Sequence, residues 1–154
     1  MARQGFRLQP VLNYREQVVE LRQQELAALE RSLQVERMAL STLQGHIFNL
    51  AMDIQSTQQR SPLDCALILN QYTYLQQLQG REEEQKARVA DLAQKTEVKR
   101  TELAQALQEK QIIEKLRERF LAQQKEENLR QEARTLDEIG VVRFLRGGRV
   151  EEPA

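Results

Sequence analysis

The chain has 154 residues, enough for one ordinary domain, and its 23 lysines and arginines balance its 23 aspartates and glutamates. This zero net charge excludes a bulk attraction to nucleic acid or to an anionic membrane surface. The single cysteine, Cys65, excludes a disulfide framework, and with only one histidine, His46, the chain has no His/Cys metal constellation. A catalytic triad would have only His46 to use, with no strand scaffold to hold it. We therefore expect a protein that is not an enzyme, with no cofactor, no metal and no nucleic-acid partner.

Cellular location is indicated by what the sequence lacks. No apolar run reaches the length of a membrane span, and the first five residues lack the apolar segment of a signal peptide. We expect a cytosolic protein without direct membrane insertion. Cys65 lies in an apolar stretch with no histidine beside it. We therefore expect its side chain to be buried and to fill space in the apolar core.

The first predicted helix has a heptad seam. Steps of three and four residues from Leu12 reach thirteen positions, of which ten are apolar. The positions are Leu12, Arg15, Val19, Arg22, Leu26, Leu29, Leu33, Glu36, Leu40, Leu43, Ile47, Leu50 and Ile54. This pattern predicts one amphipathic helix over about residues 8–57.

A break in the helical pattern follows. Ser61 suits an N-cap, Pro62 suits the first helical position, and Asp64 can support the cap. The break predicts a turn at about residues 58–61 and a second helix over about residues 62–138. The fold class is therefore all-α, two long helices in an antiparallel coiled-coil hairpin over residues 1–139. The glycine- and arginine-rich residues 140–154 are expected to be a flexible tail.

The second helix has a weaker seam and is longer than the first. Its apolar seam members are Ile68, Leu75, Leu78, Val89, Leu92, Leu103, Ile113 and Phe120. Its polar interruptions are Glu82, Gln85, Thr96, Lys99 and Lys110. A hairpin with this turn pairs residue i with roughly residue 120 − i. The N-terminal end of the first helix, at about residue 8, is therefore opposite about residue 112. Residues 115–138 then overhang, which leaves a partner, a dimer or a frayed helix as alternatives.

Surplus apolar residues flank the turn. They fall within residues 46–52 before it and residues 65–75 after it, beyond the two seam positions that each heptad needs. These residues either thicken the core near the turn or form an exposed patch, and the sequence does not choose between the two.

Three segments together resemble the flagellar export protein FliJ family. They are Phe6-Arg7-Leu8-Gln9 with Val11-Leu12, Asn70-Gln71-Tyr72-Thr73-Tyr74-Leu75, and Glu114-Lys115-Leu116-Arg117-Glu118-Arg119 with its charged continuation. The likeness covers roughly residues 6–139, and the residues after Gly140 depart from it. The resemblance implies a helical hairpin similar to the stalk (gamma) subunit of rotary ATPases, acting in the cytosolic part of the flagellar type III export apparatus.

The resemblance also implies partners and contact residues. The partners are the hexameric export ATPase FliI, the export gate protein FlhA and export chaperones, with association at the inner membrane through the apparatus. A gate-binding surface is expected at Leu43, His46, Leu50, Tyr74 and Leu78. Because the overhang is charged and carries apolar anchors, we expect ATPase-ring contacts at Lys115, Leu116, Arg117, Arg119 and Phe120.

Other functions fit the same pattern. The nearest is the stalk of a virulence-type III secretion system. A structural scaffold that homodimerises through the overhang and a hairpin chaperone that binds clients near the turn are the others. A stalk is expected to be a monomer when alone, and a scaffold to be a stable dimer.

Overall fold

Two long helices make up almost all of the chain that the structure describes. The computed structural model describes residues 5–148, in which α1 spans Gln9–Gln58 and α2 spans Cys65–Gly148. The helices pack as an antiparallel hairpin, and no strand occurs within residues 5–148. The predicted fold class is confirmed. The chain divides into one compact unit of residues 18–107 and another of residues 1–17 with residues 108–154.

The unit of residues 18–107 is held together by the predicted seam. Every seam position of α1 within it is buried or half-buried, and the residues between seam positions are mostly exposed. Its buried apolar side chains are Val19, Leu33, Ile54, Leu78 and Ala106. Burial of apolar surface along one stripe of each helix is what drives such packing.

The polar interruptions of the second seam also face α1. Thr96 is buried and donates its hydroxyl to the carbonyl of Leu92 at 2.8 Å. Gln85 donates its side-chain amide to the carbonyl oxygen of Glu36 at 3.0 Å and also to the Glu36 carboxylate. The polar groups at these seam positions are thus satisfied by hydrogen bonds, as burial requires.

The unit of residues 1–17 and 108–154 pairs the start of α1 with α2. Leu12 is buried, and Arg15 forms an ion pair with Glu109. Just before α1, the ring of Phe6 lies against Phe120, with centroids 5.6 Å apart and planes tilted by 44°.

The pairing register differs from the expected one. Arg15 pairs with Glu109 and Arg22 with Glu102, so partner numbers add to 124 rather than about 120. The reason is the turn, which occupies residues 59–64 and is longer than predicted. The start of α1 is therefore opposite a later part of α2 than expected, and contacts between the two arms of the hairpin reach Phe120.

The second helix begins three residues later than predicted. Asp64, not Ser61, caps it, since the Asp64 carboxylate accepts the backbone N–H of Leu67 at 3.1 Å. The Asp64 carbonyl accepts the N–H of Ile68 at 3.1 Å, which is the first helical hydrogen bond. Pro62 consequently lies in the turn and not at the first helical position. An aspartate one residue before the helix is among the most favourable N-caps.

The second helix also ends later than predicted. It continues through Gly140 to Gly148, whereas the sequence suggested an end near Glu138. Gly140 does not adopt a positive φ, so it does not form the left-handed cap that usually ends a helix at glycine. A glycine inside a helix costs only about 1 kcal/mol, which a long helix tolerates. The rest of the predicted tail, residues 149–154, lies outside the described residues.

Neither helix, over residues 5–148, has a stretch apolar enough to cross a membrane. Within the same range, no group of three or more His, Cys, Asp or Glu side chains is placed to hold a metal ion.

Candidate interaction surfaces

Large apolar side chains are exposed in the turn and on both helices beside it. We call this set the turn-proximal patch; its members are Phe48, Met52, Leu63, Leu67, Leu69, Tyr72 and Tyr74. The sequence left open whether these residues thicken the core or face solvent, and the structure places them at the surface. Their exposure follows from geometry, because a two-helix seam has room for only two positions per heptad.

Two of the polar contacts beside the turn join the helices. Gln58 donates its amide to the Tyr72 hydroxyl at 3.0 Å, and Gln71 donates to the Thr57 hydroxyl at 3.2 Å. The Thr57 hydroxyl in turn donates to the carbonyl of Asp53 at 2.8 Å. These contacts hold the two helices together next to the turn, so the patch is presented on an ordered base.

The five predicted gate-binding residues do not share one environment. Tyr74, 48% exposed, and His46 lie at the surface. Leu43 and Leu50 are half-buried seam residues. Leu78 is only 2% exposed, so its side chain belongs to the core between the helices and is not presented to a partner. The same three-and-four stepping from Ile68 already placed Leu78 on the seam, and burial decides in favour of that role.

Cys65 is exposed, which corrects the expectation of a buried filler. It is the first residue of α2 and precedes Ile68, the first half-buried position of that helix. The seam therefore begins after it.

The residues predicted to contact an ATPase ring divide into two groups. Lys115, Leu116, Arg117 and Arg119 are exposed, and none of the three cations forms an ion pair with another described residue. Phe120, by contrast, is half-buried against Phe6. It is therefore a packing residue of the hairpin in this structure.

Residues 125–148 of α2, which we call the unpaired segment, have no α1 residue opposite them. Their large apolar side chains are all exposed: Leu129, Leu136, Ile139, Val141, Val142, Phe144 and Leu145. The sequence predicts a flexible tail for the last four of these residues. The helix instead presents them on an ordered backbone.

A closed network of four charges crosses the seam in the unit of residues 18–107. Arg22 lies 3.1 Å from Glu25 and 3.4 Å from Glu102, while Lys99 lies 2.8 Å from Glu25 and 3.0 Å from Glu102. Each cation thus contacts both carboxylates. Hydrogen bonds from Lys99 and, to a smaller extent, from Arg22 hold the pKa of Glu25 below its usual value. Hydrogen bonds to Glu25 and then Glu102 raise the pKa of Lys99.

The fold and its surfaces define the class of protein: an antiparallel helical hairpin whose features for interaction are exposed apolar patches and charged helix faces. Comparison with known families matches residues 4–149 to the family described as Flagellar FliJ protein. The chain belongs to this family, and is accordingly a component of flagellar type III protein export. Neither the curated proteins nor the solved structures gave a match to the chain.

Proposed function

We propose that this protein is a non-catalytic coupling component that links the export ATPase to the export gate protein and assists the handling of export chaperones. It acts in the cytoplasm, associated with the inner membrane peripherally through its partners. Family membership supports a role in flagellar type III protein export, and the exposed surfaces support a role in binding partner proteins.

The observation that carries the gate contact is the turn-proximal patch. Exposed aromatic residues on a rigid base are the usual anchors of protein interfaces, because they bury a large area at a low cost in conformational entropy. Tyr74 supplies such an anchor, and the nearby contact between Gln58 and Tyr72 joins α1 to α2 beside it. The gate protein is the partner that the family resemblance implies for this part of the chain.

The gate contact is tested with Tyr74→Ala, measured by titration calorimetry against the purified export gate protein. Loss of an anchor should weaken binding by about tenfold or more, while circular dichroism stays unchanged. The matched control is Tyr14→Ala, which removes an exposed tyrosine from α1 outside the patch. If the two variants bind the gate protein with equal affinity, the turn-proximal patch is not part of the gate contact.

The ATPase contact is assigned to Lys115, Arg117 and Arg119, with Leu116 as an apolar anchor. These cations are not neutralised by ion pairs within residues 5–148, so their charge is available to an acidic partner surface. Electrostatic complementarity of this kind raises the association rate and is weakened by salt. Phe120 contributes indirectly, since its contact with Phe6 fixes this part of α2.

Charge reversal tests this assignment. Arg117→Glu with Arg119→Glu should reduce stimulation of the export ATPase and remove most of its salt dependence. Arg143→Glu with Arg146→Glu makes the same change in net charge at exposed sites of the unpaired segment and is the control. A chain that ends at Phe120 separates the two regions, because it keeps all three cations and removes the unpaired segment. If both double variants reduce stimulation equally, the effect is one of net charge, and the assignment fails.

A further inference from the structure

The two glycines within the unit of residues 18–107 lie at the same level of the hairpin. Gly45 is in α1 and Gly80 is in α2, and their residue numbers add to 125. The partner numbers of the cross-helix ion pairs add to 124, and those of the hydrogen bond from Gln44 to Glu82 add to 126. The register therefore places the two glycines opposite each other along the hairpin. We call this position the glycine level.

No packing requirement of the hairpin explains Gly45 or Gly80. Both are exposed, neither has a positive φ, and a Cβ added at either would meet no atom within 4 Å beyond its own turn of helix backbone. Alanine would fit at both positions and would favour the helix more, because glycine loses the most backbone freedom when it folds. The effect of the two glycines is to lower helix stability at the same point in both helices.

The seam is also weakest beside the glycine level. Over residues 34–45 of α1 and residues 79–90 of α2, which are opposite each other, no side chain is fully buried. Three of the six seam positions in this stretch are polar, namely Glu36, Glu82 and Gln85. Water can replace the hydrogen bond from Gln85 to Glu36 at little cost when the helices shift. Few buried apolar contacts make this stretch the least stable part of the pairing within the unit.

Close approach of a partner to the glycines is a poorer explanation. Each glycine follows a seam position, Leu43 or Leu78, by two residues, which on a helix is a rotation of about 200°. The two glycines therefore lie on opposite outer faces of the hairpin, and one partner surface cannot cover both. Bending of the hairpin, by contrast, requires both helices to yield at one level, and Gly45 and Gly80 meet that requirement.

We propose that the glycine level is a hinge, at which residues 46–79 change direction relative to the rest of the unit while the two helices stay paired. Every residue of the turn-proximal patch lies within residues 46–79. The hydrogen bonds from Gln58 to Tyr72 and from Gln71 to Thr57 hold the two helices together beyond the hinge. Bending at the glycine level therefore turns the patch as a whole.

The hinge goes beyond the proposed function. Bending of the free chain does not depend on any partner. Its use does rest on the proposed function: a hinge allows the patch to stay bound to the gate protein while the rest of the hairpin changes its tilt.

Hydrogen exchange of the free chain tests the local stability. Backbone amides in residues 43–49 and 78–84 should exchange about tenfold faster than those around Leu33 and Thr96, where seam residues are buried. Equal exchange in the two regions overturns the proposal.

The matched variants are made at glycines alone. Gly45→Ala with Gly80→Ala should slow exchange at the glycine level by about tenfold or more, because both helices gain stability there. Gly140→Ala is the control, since it makes the same change at an exposed helical glycine of the unpaired segment, where a Cβ also has room. Exchange at the glycine level that stays fast in the double variant, or slows equally in the control, contradicts the hinge.

Paired spin labels test the bending itself. In a Cys65→Ser background, labels at Ala28→Cys and Asp53→Cys occupy exposed sites on either side of Gly45. The 25 residues between them place both labels on one face of α1, about 38 Å apart along the helix, so that bending changes their separation. The distribution of label distances should be broader in the wild type than in the double alanine variant. Equal widths would mean that the glycines do not permit bending.

Titration against the gate protein separates the hinge from a direct contact. The double alanine variant should bind within about twofold of the wild type, because every residue of the turn-proximal patch is unchanged. Lost affinity with unaltered exchange would make the glycines contact residues and would overturn the hinge. A wild-type chain that does not bind the gate protein contradicts the proposed function instead, and the exchange and label measurements still decide the hinge.

Discussion

Arg22 and Lys99 occupy seam positions that an apolar residue would fill in an ordinary coiled coil. Each of them contacts both Glu25 and Glu102 across the seam. Such a network is satisfied only when the two helices are in one register, since a shift by one heptad would bring other side chains opposite Lys99. Polar seam residues in coiled coils are best known for this effect on register.

The network predicts how stability depends on pH. Because the pKa of Glu25 in the folded protein lies below its usual 4.5, its contribution is present at neutral pH and is lost as the pH falls through the lowered value. The pKa of Lys99 is raised above 10.5, so its contribution is lost as the pH rises through the raised value. The Glu25→Gln variant should have a lower Tm than the wild type at pH 7, and the two should converge in acid. Thermal melts followed by circular dichroism measure this, and parallel curves at all pH values would show that Glu25 contributes nothing.

Leu78 and Tyr74, which the sequence assigned to one gate-binding surface, differ in burial. Leu78→Ala should reduce the free energy of unfolding by about 2–5 kcal/mol, because it leaves a cavity between the helices. Tyr74→Ala should change it by only about 0.5 kcal/mol, because the ring is half in solvent. Urea unfolding of both variants provides the measurement. A large loss in Tyr74→Ala would make it a core residue and would remove it from the gate surface.

At the scale of elements, the helical type of both elements and the bounds of α1 to within one residue follow from periodicity. The seam from Leu12 to Ile54 is long enough that single exceptions do not obscure it, and its burial confirms the pattern. The exact residue at which the turn ends could not be predicted from the sequence, because Ser61 and Asp64 are both good N-caps. Only backbone geometry distinguishes them. Because the predicted cap is three residues too early, the predicted pairing register is shifted as well. Phe120 therefore falls wrongly in the predicted overhang. The end of α2 was missed because glycine was interpreted as a helix stop.

The cap assignment predicts a difference between two small substitutions in the turn. Asp64→Ala should reduce the free energy of unfolding by about 1 kcal/mol, since it leaves the N–H of Leu67 without its acceptor. Ser61→Ala should have almost no effect, because Ser61 lies three residues before the cap. Urea unfolding of the two variants tests this, and the opposite order would return the cap to Ser61.

At the scale of the whole molecule, two packed helices provide one seam and leave most side chains at the surface. Of the predicted contact residues, Tyr74 and Arg117 are exposed as the sequence indicates, because residue type and spacing carry that information. The sequence does not indicate that Phe120 is covered, since the covering ring of Phe6 precedes the first helix. The roles of these residues with partners stay predictions, because they depend on surfaces that belong to other proteins.

The proposed function requires that one chain joins the export ATPase to the export gate protein through two separate surfaces. Size-exclusion chromatography with light scattering, on mixtures of the purified ATPase, the purified gate protein and this chain, measures this directly. We expect a three-component complex that forms only when the chain is present, and that is lost with Tyr74→Ala or with Arg117→Glu and Arg119→Glu. Two binary complexes that exclude each other would mean that the partners compete for one surface, and would contradict it.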